Sequence, residues 1–551
     1  MSGRPNRLDT AVTAASDALV DAAFSAAMFV NRRRYWPPLD RALADPGATQ
    51  RRVLAEILAA NATTTFGAEH GFAAITGPGS YRNRVPVQDY ESLRAHIEEQ
   101  ERSGTPTLTT APPVLYAQTS GTGGTPKYLP ITAEGIRRVA RTQRLFATSV
   151  HRRSSMFAGR IVGIGSPAIE GHLPGGSPFG SASGMVYEQM PRVVRRKYVL
   201  GPELLAVADH DLRYLLMAAS CAAAEDVTGV ATANPSTLLR LWSVIVDGWD
   251  EVITAVADGT LPGLESLPAA QAEPIADSFV ADPDRARALD RLRSRHGDDL
   301  GYRHLWFRLG AITTWTGGSA GFALAALRPH LDPATKVAEL GYSASEMRAT
   351  VGIDPDTNQC VPLVTDNFFE FVPVERREAA SGDLDPDDFV GLEELETGAQ
   401  YYVYVTTYDG LYRYDMNDIV EVSGRHRATP TLAFVRKGRG VTNITGEKLT
   451  ENQILAAVDA EQRQQGMALA FFVALADEAG ARYHLYLEPA GSARAGSDFG
   501  AAVDRRLSAT NIEYGAKRSS GRLGPIVARE LEAGTGARYR SELVAGGQRD
   551  A

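Results

Sequence analysis

Residues 116–132 read YAQTSGTGGTPKYLPIT, an apolar lead into a hydroxyl-rich and glycine-rich turn that ends in Lys127. Glycine lets backbone N–H groups converge on a small anion at little steric cost, while Thr119, Ser120, Thr122 and Thr125 add hydroxyl donors. That chemistry suits a phosphate, and a triphosphate above all, with Lys127 neutralising charge. The segment is not the familiar nucleoside-triphosphatase loop, because no Ser or Thr follows the lysine and the spacing differs. A plain surface loop has the same composition. The nucleotide therefore has to be argued from other residues.

Three further constellations bear on it. In Gly341-Tyr342-Ser343-Ala344-Ser345-Glu346, small residues bring backbone close to a ligand, Tyr342 offers a ring face to a base, and Glu346 offers oxygen to Mg²⁺. The alternative is a strand end followed by a helix whose first turn holds Glu346, favourable there without any metal. In the run from Tyr408 to Asp418, Asp409-Gly410 signals a hairpin turn. Asp418, at the end of the next strand, can accept from both hydroxyls of a ribose. Asp415 is its nearest competitor and is better explained by turn chemistry. In the run from Asn443 to Glu451, Thr450 reads as a helix cap, and Gly446-Glu447-Lys448 as a loop able to swing over a nucleotide. His172, His304 and His330 stand isolated, which argues against zinc. GIGSP at 163–167 lacks the full nucleophile-elbow pattern of a serine hydrolase.

The elements that must position these residues need more than one core, since 551 residues exceed an ordinary domain. A composition of 44% apolar and 22% charged residues is that of a globular protein, and a net charge of −9 argues against nucleic-acid binding. No apolar run reaches membrane-spanning length. Two distant cysteines, Cys221 and Cys360, have no metal-ligand spacing, and a cytoplasmic protein is expected. Lysine is scarce: Lys127, Lys197, Lys336, Lys437, Lys448 and Lys517 are the full set.

Residues 10–62 read as helical, Tyr90 to Glu99 as a helix capped by Asp89, and Thr132 as the start of a helix toward Val150. A largely helical block is expected from Glu203 to Leu327. AITTWTGGSA, VAELGYSASE, FFEFVPVE and YYVYVTTYDGLYRYD read as strands. Helices before and between buried strands indicate α/β architecture with covered sheets. AFVRKGRG, at 433–440, reads as a hinge between residues 1–435 and a smaller domain, 436–551. In the latter, Glu451 to Gln462 is a helix and ALAFFVALAD and ARYHLYLEPA are strands.

Taken in order, these segments resemble the auxin-responsive family of acyl-acid amido synthetases, within the adenylate-forming superfamily of acyl-CoA synthetases and luciferases. The likeness begins near Leu54, in LAEILAANATTTFGAEHGFAAI and YRNRVPVQDYESLRAHIEE. It continues through TSGTGGTPKYLP, YSASE, TTYDGLYRYDMNDIV and ITGEKLTE to SSGRLGP and GGQRD. The resemblance implies a large α/β domain that binds ATP and an acyl acid, and a small mobile α+β C-terminal domain. A carboxylic acid is converted to acyl-AMP and pyrophosphate, and an amine, typically an amino acid, then displaces AMP. Thr119, Ser120, Gly121 and Thr122 are implied phosphate contacts, Glu346 the Mg²⁺ ligand, Tyr342 part of the AMP pocket and Asp418 the ribose ligand. A monomer without nucleic-acid or membrane partners is expected.

The likeness has departures. Gly123 stands where the superfamily has Thr or Ser, so one hydroxyl donor is missing. The family follows its glycine–glutamine segment with a lysine, whereas here Gly547-Gln548 precedes Arg549-Asp550-Ala551. Either another cation substitutes, with Lys448 and Arg549 nearest, or adenylation is weakened and the chain is a nucleotide-binding homologue. A thioester-forming ligase is the other alternative. Trp315, Phe179 and Met185 are candidates for the acyl pocket, and Arg160 or Arg192 for pairing with a substrate carboxylate.

Overall fold

The computed structural model describes residues 7–119, 126–317, 320–380, 382, 384–438, 441–467, 469–489, 496, 498–536 and 538–539. The chain packs as two units. One comprises residues 1–118, 128–318 and 325–436; the other comprises 119–127, 319–324 and 437–551.

The first unit is mixed α/β. Local signals set its helix starts: Asp45 accepts from Ala48 N–H ahead of Pro46–Asn61, Asp89 from Ser92 N–H ahead of Tyr90–Ser103, and Thr132 from Gly135 N–H ahead of Ala133–Arg153. Strands Arg160–Ile164, Val227–Thr232, Ala311–Thr314 and Lys336–Glu339 form a parallel sheet in that order. Its central strands carry Val230 and Ile312, both buried and packed with Leu241 and Leu289 of the surrounding helices and with Trp306. Val227–Thr232 corrects the expectation of a helical block from Glu203 to Leu327. A short strand buried on both faces lacks the alternation that would announce it.

A second sheet aligns Lys127–Thr132, Pro113–Thr119, Pro178–Gly180 and Gly171–His172, with Tyr116 facing Phe179 in parallel register. A third, antiparallel, sheet orders Asn367–Pro373, Gln400–Thr407, Tyr414–His426 and Thr429–Lys437. The last of these strands runs through Phe434 to Lys437, so the first half of the expected hinge is sheet. The N-terminal helices cover this sheet through Leu54, Ile57 and Phe66, whose ring stacks on Tyr412 at 4.9 Å. Buried Glu370 sits between Arg82 (2.9 Å) and Arg413 (3.1 Å), and Arg413 also donates to Val85 O at 2.8 Å. Removing either partner of such a pair leaves a buried charge uncompensated. Arg413 thereby anchors the hairpin to the N-terminal region.

The second unit is α+β. Leu469–Asp477, Arg482–Pro489 and Val527–Glu530 form a three-stranded sheet, and Glu451–Gln465, Phe499–Thr510 and Ile512–Ser519 are its principal helices. Val458, Phe499, Val503, Leu507, Tyr514 and Leu523 form its core. No helix among the described residues is long and apolar enough to cross a membrane.

Candidate active site

In the first unit the site grows out of an irregular strand pair. Tyr402 faces Ile419 but Tyr404 faces Asp415, so Tyr414–His426 accommodates two extra residues between those positions. Asn417, in this bulge, has φ 48°. A left-handed residue there bends the strand and re-aims the next side chain. Asp418 is therefore held in a bulge near the start of its strand, not at the strand end expected from sequence, and is only 1% exposed. Asp415 Oδ1 accepts from Asn417 N–H at 2.7 Å, the turn chemistry assigned to it.

Tyr342 reaches the same place from a different element. Its hydroxyl donates to Asp418 Oδ2 at 2.6 Å, and its ring stacks on Phe434 at 5.6 Å. Gly341 has φ 99°, and a Cβ there would lie 2.6 Å from Thr350 O. Only glycine allows the chain to turn so close to strand Thr350–Asp354. Glu346 does not open a helix. Ser343 and Arg348 form an antiparallel bridge, and Ala344 N–H donates to Met347 O. The chain doubles straight back into the strand, which overturns the helix-dipole account of Glu346. Glu346 is half-buried. Burial, then the charges of Asp418, Glu346 and Asp415, hold the Tyr342 phenol well above its ordinary range. These three carboxylates are thus the negative field around Tyr342.

In the second unit Thr119 ends one strand and half-buried Lys127 begins the next. Ser120, Gly121 and Thr122 lie outside the described residues, as does Arg549. Within the same unit, Lys448 Nζ donates to Thr119 Oγ1 at 3.4 Å. Lys448 has φ 49°, a conformation unusual outside glycine and held here by its neighbours. Glu447 is fully buried and accepts from Ile444 N–H (2.7 Å), Thr445 N–H (2.7 Å), Thr445 Oγ1 and the Tyr483 hydroxyl. Asn511 Nδ2 donates to Glu447 O at 3.1 Å while its Oδ1 caps Ile512–Ser519. Lys517, paired with Glu513 at 3.3 Å, packs beside Gly446. Burial pulls its ammonium below the usual lysine range.

Sequence reasoning missed Phe434, Asn511, Tyr483 and Lys517 as supports. Asn511 and Lys517 carry local signals, as a helix cap and an i,i+4 pair, but their contacts to the Glu447 loop, like those of Phe434 and Tyr483, join distant segments.

Phe179 and Met185 pack, partly buried, against the large core. Half-buried Trp315 donates its backbone N–H to Ala233 O at 2.9 Å. Arg160 pairs with Asp226 at 2.6 Å on the surface, and the Arg192 side chain lies outside the description. His304 is not isolated as expected, since its ring stacks on His296 at 3.8 Å, and the two rings and Asp299 bring ligand atoms within 4.8 Å of one another. Arg303 occupies Asp299 at 2.6 Å, and His304 Nδ1 accepts from Gly301 N–H at 3.1 Å, so this donor set is engaged within the protein.

Comparison with known proteins places the chain in a family. The GH3 family N-terminal, central and C-terminal domains match residues 38–335, 360–437 and 452–551. Among curated relatives, the chain is 26% identical to indole-3-acetic acid-amido synthetase GH3.8 of Oryza sativa subsp. indica, over 76% of this chain and 71% of that one. It is 26% identical to indole-3-acetic acid-amido synthetase GH3.10 of Arabidopsis thaliana, over 83% and 81%. Among solved structures, the GH3.15 acyl acid amido synthetase in complex with 2,4-DB aligns with TM-score 0.66 at 18% identity, over 94% of this chain and 92% of that chain. A 2-hydroxyisobutyryl-CoA ligase in its thioesterification state shares the fold at TM-score 0.52 and 13% identity, over 92% and 94%. With all three family domains matched in order across most of its length, the chain belongs to the GH3 family of acyl-acid amido synthetases, within the adenylate-forming superfamily.

Proposed function

We propose that this chain activates a carboxylic acid with ATP and passes the acyl group to an amine, with an amino acid as the typical acceptor. The observation that carries the nucleotide assignment is the pairing of Tyr342 with buried Asp418 in a field of carboxylates. Asp418 accepts the ribose hydroxyls, and Tyr342 fixes its orientation and flanks the base. Thr119, Ser120, Gly121 and Thr122 donate to the phosphates, while Lys127 and Lys448 balance their charge. In the first step a carboxylate oxygen attacks the α-phosphorus, the bond to the bridging oxygen breaks, and pyrophosphate leaves. In the second, the amine attacks the acyl carbon, the C–O bond to AMP breaks, and the nitrogen loses its extra proton. Fixed donors lower both barriers by meeting charge as it shifts onto phosphate oxygens.

Half-buried Glu346 offers carboxylate oxygens, the donor type that suits Mg²⁺. Glu346 is the residue that would hold it. When bound, the ion screens polyphosphate charge. Residues 1–435 form the adenylation domain, and 436–551 the domain that moves between the two steps, with Lys448 or Arg549 in the place of the family's terminal lysine. A monomeric, cytoplasmic enzyme belongs to the same reading, supported by two buried, unbridged cysteines.

The test supplies ATP, Mg²⁺ and a panel of carboxylic acids, follows pyrophosphate, then adds pooled amino acids and identifies products by mass spectrometry. Amide formation is expected. Thioester in place of amide when coenzyme A is present would overturn the acceptor. ATP binding without pyrophosphate for any acid would leave a nucleotide-binding homologue. Unchanged ATP affinity in Asp418→Ala would remove the ribose role.

A further inference from the structure

Away from these residues, the first unit contains a cavity of about 530 Å³, within the range of small-molecule sites. Arg285, Arg291, Arg295 and Arg303 line it, against a single carboxylate, Glu225, and the ring of Phe307 is 68% exposed beside them. The charge is concentrated on helix Pro283–His296, and its compensation is uneven. Arg287 pairs with Asp284, and Arg293 lies over the Trp249 ring at 5.2 Å. Arg303, from the following turn, pairs with Asp299 at 2.6 Å. Arg291 and Arg295 face the cavity and form no ion pair among the described residues. Like charges four residues apart on a helix repel one another. A favourable dipole at the helix C-terminus accounts for Arg295 but reaches only the last turn.

Arg285 supplies an independent observation. It is 5% exposed, yet its guanidinium is held mainly by neutral groups: Nε donates to Ala222 O at 2.9 Å and Nη2 to Leu305 O at 3.1 Å. Its ion-pair partner, Glu225, stands 3.9 Å from Nη1 with a side chain 64% exposed. A buried cation whose ion-pair partner stays beyond hydrogen-bond distance and largely exposed is costly unless an anion completes it. Burial accordingly pulls this guanidinium below its usual range.

We propose that this cavity binds a nucleoside polyphosphate as a second, non-catalytic ligand. Arg291 and Arg295 grip the phosphates in forked hydrogen bonds, Arg285 Nη1 completes the charge from below, and Phe307 stacks on the base. The site requires neither the Asp418 assignment nor the ligase reading.

The test titrates the full-length chain calorimetrically with ADP and, separately, with inorganic tripolyphosphate. Amide hydrogen exchange over residues 283–307 locates the binding. Both probes are expected to slow exchange there in the wild type. Arg291→Ala/Arg295→Ala loses that protection, with affinity at this site down by about tenfold or more. Phe307→Ala weakens ADP and spares tripolyphosphate. These three side chains are exposed, so the variants retain the fold, checked by circular dichroism; Arg285 is left intact because its burial makes it structural. Absence of protection over 283–307 in the wild type, or its persistence in the double variant, overturns the site. An ADP affinity indifferent to Phe307→Ala overturns the nucleoside part.

Discussion

Tyr342 and Asp418 lie 76 positions apart in the chain and meet at 2.6 Å, and that one hydrogen bond defines the buried end of the site. Because the acceptor is charged, Tyr342→Phe is expected to destabilise the fold by about 1.5–3 kcal/mol and to weaken ATP binding. The pH dependence follows from the phenol, whose folded pKa is raised above its unfolded value of 10.0, first by burial and then by Asp418. Its contribution is complete below about pH 10 and is lost as pH rises toward the folded value. Urea unfolding of wild type and variant across pH should give a flat difference at neutral and mildly alkaline pH that shrinks only above that point. Both residues stand out in the sequence as candidates. Their pairing does not, since nothing local links position 342 to position 418.

At the scale of elements, a bulge and a loop do the positioning. Asn417 tolerates φ 48° because asparagine and glycine adopt the left-handed region more readily than other residues. Asn417→Gly is therefore expected to retain ATP affinity, whereas Asn417→Val costs about 1–3 kcal/mol and misdirects Asp418. Thermal unfolding and nucleotide titration on the two variants check this. In the loop from Asn443 to Lys448, Glu447 gathers two backbone N–H groups and two hydroxyls. Glu447→Ala strands those donors in the interior and is expected to cost more than about 3 kcal/mol, while Glu447→Gln keeps an acceptor and loses less. If the alanine variant unfolds with the wild-type midpoint, this loop is not held as described. The bulge left no mark in the sequence pattern, because two extra residues in a strand resemble ordinary alternation with a break. Helix caps such as Asp89 and Thr132 were legible because they act within three residues.

Across the whole molecule, the proposed reaction needs its two steps to be served by different arrangements of residues 1–435 and 436–551. Gly438→Pro stiffens the link between them. It is expected to leave ATP binding near wild type while slowing amide formation by about tenfold or more. Single-turnover measurement of pyrophosphate and amide on the same sample separates those effects, and an unaltered amide rate would move the hinge elsewhere.

The amino-acid sequence by itself determined the family and the α/β and α+β character of the two parts, and it singled out the residues proposed for phosphate, ribose and cation. Those follow from residue type, short spacing and ordered motifs, which are written along the chain. The tertiary structure alone decided that Asp418 sits in a bulge beneath Tyr342, that Val227–Thr232 is a central strand, and that Asn511 braces the loop carrying Lys448. It alone also gathered Arg285, Arg291, Arg295 and Phe307 around one cavity. Each of those outcomes depends on packing between segments far apart in sequence, where burial and hydrogen-bond satisfaction, rather than local propensity, select the conformation.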